Sequence, residues 1–232
     1  MRVPMLVEYY HRLPERQEGE APQTWAVRLQ EGLATFQQQA AARYSEGTLQ
    51  RLLDEPNTDA RRAATMALGL CGTHESNPFL AARLHDADLQ VRRLAADALW
   101  ATWFRSASDD HARELQKLMR QRDIQKALTG YDALLKKAPD FAEAYNQRAI
   151  LYFRLEDYSK SIADCEAVLK LNPFHFGAQA GMGQCYLKLR KHRAALKALA
   201  GALKINPNLE GVEEAIRNLE ESLGGEGKKE DK

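Results

Sequence analysis

The first candidates for nucleophilic or metal chemistry in this chain are its three cysteines and its histidines, and their surroundings argue against both. Cys165 lies in LEDYSKSIADCEAVLKLNP, residues 155–173, between Asp164 and Glu166. Neighbouring negative charge raises a thiol pKa, whereas an activated thiolate needs cations or a helix N-terminus. Cys71, Cys165 and Cys185 are odd in number and share no CxxC spacing, so neither a disulfide framework nor a zinc site is indicated. They fit a reducing compartment. His74 follows Cys71 in CGTH, but two possible ligands without a second pair make an interhelical turn the better reading. His175 and His192 also fall at interhelical turns. The chain has no Gly-rich phosphate loop after a strand, no GxSxG and no HExxH. No catalytic residue, metal ligand or cofactor is expected.

The elements that would position any functional residue are helices. Among 232 residues, 44% are hydrophobic and only 8% aromatic, while Ala, Leu, Arg, Lys, Glu and Gln dominate, all of which lose little rotamer freedom in a helix. With 33 Lys+Arg against 32 Asp+Glu, the balance gives no support for a nucleic-acid partner. The apolar opening VPMLV at 3–7 is interrupted by Glu8 and lacks a following cleavage site. The longest uncharged apolar run, AATMALGLCGT at 63–73, falls far short of the roughly 20 residues that a spanning helix needs. A cytoplasmic protein without membrane insertion is expected.

The prolines at 139, 173 and 207 recur every 34 residues. In the same register Ala144 matches Ala178, Tyr152 matches Tyr186, Leu155 matches Leu189, Leu169 matches Leu203, Lys170 matches Lys204 and Asn172 matches Asn206. Within a unit, Tyr145, Ala149 and Tyr152 share one helical face, and Ile162, Cys165, Val168 and Leu169 share a second, with Asp157 between them. Each unit is therefore a helical hairpin closed by a proline, which cannot donate an amide to the preceding turn. These units resemble the tetratricopeptide repeat, which usually buries an apolar side chain at the position of Cys165. The resemblance implies packing roles for Cys165 and Cys185, while Asp164 and Glu166, on the opposite face, read as solvated helix charges.

The resemblance covers three units spanning 108–207. Tyr145, Ala149, Tyr152, Ser161, Cys165 and Pro173 fill the pattern in the middle unit. Gln179, Met182, Gly183, Tyr186, Ala195, Leu199 and Pro207 fill it in the third. The first unit, with Leu115, Leu118, Ala127, Tyr131 and Pro139, departs from the pattern at His111 and Glu114.

Upstream the register changes to 31 residues: Leu49 and Leu80, Leu53 and Leu84, Arg61 and Arg92, Arg62 and Arg93, Ala64 and Ala95, Ala67 and Ala98, Leu68 and Leu99. The segments DARRAATMALG and LQVRRLAADALW, each following a short helix and an acidic turn, resemble short HEAT repeats. Arg61, Arg62, Arg92 and Arg93 near Asp59, Asp86 and Asp88 are expected to form structural ion pairs, with an anion-binding strip as the alternative. A helix over 24–44 carries Trp25, Leu29, Leu33, Phe36 and Ala40 along one stripe and would cap these repeats.

The expected organisation is an all-α solenoid: HEAT-like repeats over 24–105, three tetratricopeptide repeats over 106–207, a capping helix over 208–223 and a disordered tail over 224–232, with residues 1–23 unassigned. Ser108 is placed to cap the helix that opens the second array, and Trp100, Trp103 and Phe104 are expected to pack at the junction.

The resemblance implies a protein-interaction scaffold. Short HEAT repeats also occur in enzymes that attach bilins and in DNA-repair glycosylases, which keeps an enzyme or enzyme subunit as the alternative. Tetratricopeptide co-chaperones clamp a carboxyl-terminal aspartate with Lys and Asn, then Asn, then Lys and Arg on successive units. Here those positions hold Ala112 and Gln116, Gln147, then Gly177 and Gly181, so the clamp is absent. In that family the first helix of each hairpin lines the concave surface. This implies a groove made by Gln116, Met119 and Arg120, by Asn146, Ile150, Phe153 and Arg154, and by Gln184, Leu187 and Lys188. Arg120, Arg154 and Lys188 form a cationic ladder at 34-residue steps beside apolar side chains, suited to a protein or peptide partner carrying both acidic and apolar groups.

Overall fold

The computed structural model describes residues 4–226, and among these every regular element is helical. The chain divides into two compact units between Thr102 and Trp103. The first contains α1 (Met5–His11), α2 (Pro22–Arg43), α3 (Glu46–Leu52), α4 (Thr58–Cys71), α5 (Asn77–Arg83) and most of α6 (Leu89–Phe104). The second contains α7 (Asp109–Met119), α8 (Ile124–Lys137), α9 (Ala142–Arg154), α10 (Tyr158–Leu171), α11 (Phe176–Lys188), α12 (His192–Ile205) and α13 (Val212–Glu226). No helix is long and apolar enough to cross a membrane among the described residues. The fold class is the expected one, an all-α chain of repeated helical hairpins.

In the first unit the 31-residue register becomes a core. Leu49 and Leu80, Leu53 and Leu84, Ala64 and Ala95, Ala67 and Ala98, and Leu68 and Leu99 are all buried. The arginines recur with the same hydrogen bonds. One guanidinium nitrogen of Arg61 donates to the carbonyls of Glu55 and Pro56 at 2.9 and 3.1 Å. The matching nitrogen of Arg92 donates to those of Asp86 and Ala87 at 2.8 and 3.2 Å. Arg61 also reaches forward to Asp86 at 2.9 and 3.0 Å, and Arg62 to Asp88 at 3.0 and 2.7 Å. Arg61 and Arg62 thus bind the acidic turn of the following repeat, which is structural pairing, whereas Arg92 holds the turn before its own helix and Arg93 is exposed. Asn57 caps α4 through Ala60 N at 3.0 Å, and Asp88 caps α6 through Val91 N at 2.9 Å. On α2, Phe36 and Ala40 are buried while Trp25, Leu29 and Leu33 are half-buried. The unassigned N-terminal stretch contributes α1, whose Leu6 and Val7 are buried and whose Leu6 amide donates to Tyr44 Oη at 3.0 Å.

The second unit repeats at 34 residues. Ser108, Asp123 and Asp157 cap α7, α8 and α10 by accepting amides at 3.3, 3.1 and 3.2 Å. Glu156 and Arg190, themselves 34 apart, both take left-handed backbone conformations, φ 60° and 54°, where one hairpin helix turns into the next. Leu115, Tyr131, Leu134, Phe141 and Ala144 form one core cluster. Ala149, Cys165, Val168 and Ala178 form a second, and Ala195, Leu199, Val212 and Leu219 a third. Gly183 lets α11 and α12 meet, since a Cβ there would lie 2.6 Å from Leu199 Cδ2. The last helix runs to Glu226, taking in Gly224 and Gly225 of the expected tail, and residues 227–232 lie outside the described residues.

Candidate functional site

Burial settles the role of the thiols. Cys165 is 2% exposed, and burial, with smaller contributions from Cys185, Asp164 and Glu166, pushes its pKa up to about 12. Burial also raises the Cys185 thiol, whose Sγ lies 3.2 Å from Ser161 Oγ. A thiol held neutral in apolar surroundings is neither a nucleophile nor a ligand. Cys71 is half-buried and donates to the Ala67 carbonyl at 3.1 Å, while His74 is exposed in a single 3-10 turn. Among the described residues no three His, Cys, Asp or Glu side chains are grouped to hold a metal ion.

Asp164 corrects the sequence reading. It is a buried residue, not a solvated charge, and both its oxygens accept from Arg148 at 2.8 and 2.6 Å. Arg148 also donates to Asp132 at 2.7 Å and lies over the rings of Tyr145 and Tyr152 at 5.5 and 5.8 Å. The fork geometry of the guanidinium suits this bidentate pair, which ties α9 to α10 and α8. Glu166, one residue beyond Cys165, is exposed as expected.

His175 likewise does more than occupy a turn. Its Nδ1 accepts the Ala178 amide at 3.0 Å and so caps α11. With that lone pair engaged, Nε2 carries the ring hydrogen and donates it to Glu143 Oε2 at 3.0 Å. Glu143 Oε1 accepts from Asn146 Nδ2 at 3.0 Å and Gln147 Nε2 at 2.7 Å. Trp103 stacks on the imidazole with centroids 4.0 Å apart and planes 21° apart, and Phe176 flanks Trp103 at 5.2 Å. Both His175 and Glu143 are fully buried. A histidine–carboxylate pair resembles a proton-transfer dyad, but a dyad needs a free ring nitrogen facing substrate. Here that nitrogen holds a helix end, so the pair builds structure. The signal that would have found it is positional: Glu143 is second, and His175 last, in the 34-residue unit 142–175.

The sequence-predicted groove residues fall into two sets. Gln116, Met119 and Arg120 at the end of α7, Ile150 and Arg154 on α9, and Gln184 and Lys188 on α11 are exposed. Met119 and Ile150 are large apolar side chains left 44% and 39% open to solvent. Phe153 is half-buried and meets Tyr158 edge-on at 5.5 Å, and Leu187 packs partly against the Leu199 cluster. Asn146 is the exception. It is buried in the Glu143 network and presents almost no surface. The three cations sit at helix C-termini, where they complement the negative end of the dipole. Among the described residues, none of Arg120, Arg154 and Lys188 forms an ion pair.

A family model of HEAT repeats matches residues 32–128, and tetratricopeptide repeat models match 142–175 and 177–209. The chain therefore carries HEAT repeats followed by two tetratricopeptide repeats. The first helix of the expected first tetratricopeptide unit, α7, falls inside the HEAT match. No curated protein matches the sequence. Among solved structures, the first tetratricopeptide domain of human RPAP3 is similar at 22% identity and TM-score 0.45, covering 50% of this chain and 91% of that one. The TPR2AB domain of yeast Sti1 in complex with pHSP90 is 18% identical with TM-score 0.42, covering 82% of this chain and 75% of that one. A tetratricopeptide protein of Thermus thermophilus is 18% identical with TM-score 0.38, covering 85% of this chain and 93% of that one.

Proposed function

We propose that this protein is a non-catalytic scaffold or adaptor of the cytoplasm that binds a peptide or helix in a concave groove formed by α7, α9 and α11. What supports the reading is that Arg120, Arg154 and Lys188 recur at 34-residue steps at the ends of α7, α9 and α11, without an ion pair among the described residues, and that Met119 on α7 and Ile150 on α9 are exposed apolar side chains. Such a surface suits a ligand with alternating acidic and apolar side chains, with charge steering the encounter and apolar contact holding it. An odd number of cysteines without paired spacing supports a reducing compartment.

The ligand differs from the pHSP90 named for the Sti1 complex. Ala112, Gln116, Gln147, Gly177 and Gly181 stand where a carboxylate clamp would need cations and asparagines. The test is affinity capture from the native host, comparing the full chain with its Arg154→Glu/Lys188→Glu double variant by mass spectrometry. A partner bearing acidic and apolar segments should be captured by the first and lost from the second. An identical capture set for both folded proteins would move the interface away from this groove.

A further inference from the structure

Helices α4 and α6 meet at Gly69, where an added Cβ would lie 2.9 Å from Ala98 Cβ and 3.0 Å from Ala98 Cα. That close approach sets two apolar faces side by side. Met66, Gly69 and Leu70 from α4, with Leu94, Ala98 and Ala101 from α6, line a recess of about 140 Å³. An apolar cavity of about 150 Å³ accommodates a benzene ring, so this space admits one aliphatic or small aromatic side chain. Because its floor is two helices in backbone contact, the recess is preformed.

One polar side chain shares this lining, the carboxylate of Asp97. Asp59, Asp86 and Asp88 in the same unit are each paired with an arginine. Among the described residues Asp97 has no such pairing, and its pKa is raised by burial alone. A carboxylate at the rim of an apolar recess without a counter-ion attracts an incoming cation and repels an incoming anion.

We propose that this recess docks a partner peptide presenting an aliphatic side chain next to an arginine or lysine, the aliphatic group seated among Met66, Leu70 and Leu94 and the cation on Asp97. The preference is opposite in charge to that of the α7, α9 and α11 groove, so the two surfaces are separable by the ligands they select.

The test uses the full chain with 13C-labelled Met, Leu and Ile methyl groups. It is titrated with an alanine-rich, end-blocked helical peptide carrying Leu and Arg four positions apart, with Arg→Glu and Leu→Ala versions as controls. The Leu/Arg peptide should shift the methyls of Met66, Leu70 and Leu94 saturably, and each control should bind at least about fivefold more weakly. Asp97→Asn, at an exposed position, should leave the helical circular dichroism unchanged and weaken the Leu/Arg peptide by a similar factor. Asp97→Lys should reverse the preference between the Arg and Glu peptides. Equal binding of those two peptides would overturn the proposal. So would shifts confined to Met119, Ile150 and Leu187, or none that saturate at millimolar peptide.

Discussion

His175 and Glu143 join the two ends of one 34-residue repeat through a single buried hydrogen bond of 3.0 Å. His175→Ala removes both the donor to a buried carboxylate and the cap of α11, and should cost about 3 kcal/mol in urea denaturation. His175→Asn keeps a capping oxygen and should recover about 1 kcal/mol of that loss. Equal stabilities for the three proteins would show that neither contact matters to folding.

Trp103 is 1% exposed and covers the imidazole. Trp103→Ala should destabilise by roughly 3 to 5 kcal/mol, the range for truncating a large buried aromatic. A change in the denaturation midpoint equivalent to less than about 0.5 kcal/mol would be incompatible with that burial.

Thiol labelling should follow burial. In the native protein at neutral pH a maleimide should react first with half-buried Cys71 and only slowly with Cys165 and Cys185, whereas all three should react in urea. Rapid, selective modification of Cys165 in the native state would contradict its assignment as a packing residue.

Acid should weaken the first unit in a defined window. The hydrogen bonds from Arg62 hold the Asp88 carboxyl down at about 2, below the unfolded value near ~3.9. Asp86 is lowered in the same direction, because its bonds from Arg61 and the Asp88 amide outweigh the upward effect of burial. Carboxyls depressed in the folded state contribute stability that is present above the unfolded pKa and lost as pH falls through the folded one. Stability should therefore decline from about pH 4 toward about pH 2, and Asp88→Asn should flatten that decline. An unaltered acid limb in the variant would remove Asp88 from the account.

Once a partner of the proposed groove is in hand, stopped-flow kinetics separate its two components. Arg154→Glu/Lys188→Glu should slow association and reduce its dependence on salt, while Phe153→Ala should chiefly hasten dissociation. A salt-independent association rate for the wild-type chain would argue against the cationic ladder.

The repeats were legible because their signal is local and periodic. Leu68 and Leu99 are buried for the same reason that they are 31 apart, each facing inward from equivalent second helices. Polar burial carries no such period. Asp164 reads as an ordinary helix charge because its partner, Arg148, sits 16 residues away, and Glu143 goes unassigned in the sequence because His175 sits 32 residues away; only packing brings each pair together. Asn146 was misplaced for a related reason. One turn along from Glu143, it shares that residue's burial, although its offset in the repeat pointed to the groove. The isolated α1 is too short for its apolar pair, Leu6 and Val7, to show a helical period.

The Glu143–His175 bond also sets the phase in which this array can be cut and rejoined. Thirty-four residues later the equivalent positions hold Gly177 and Leu209, so the neighbouring unit has neither the acid nor the imidazole. A chimera spliced at 141/142 and 175/176 would carry both groups on one fragment, and any following helix would supply the backbone amide that His175 caps. A chimera spliced within the turn at 155–157 would inherit only one of them. It would bury either a glutamate without its histidine or a histidine without its glutamate. Recombination at the second kind of boundary should yield misfolded progeny, which makes residues 142–175 the indivisible cassette of this chain.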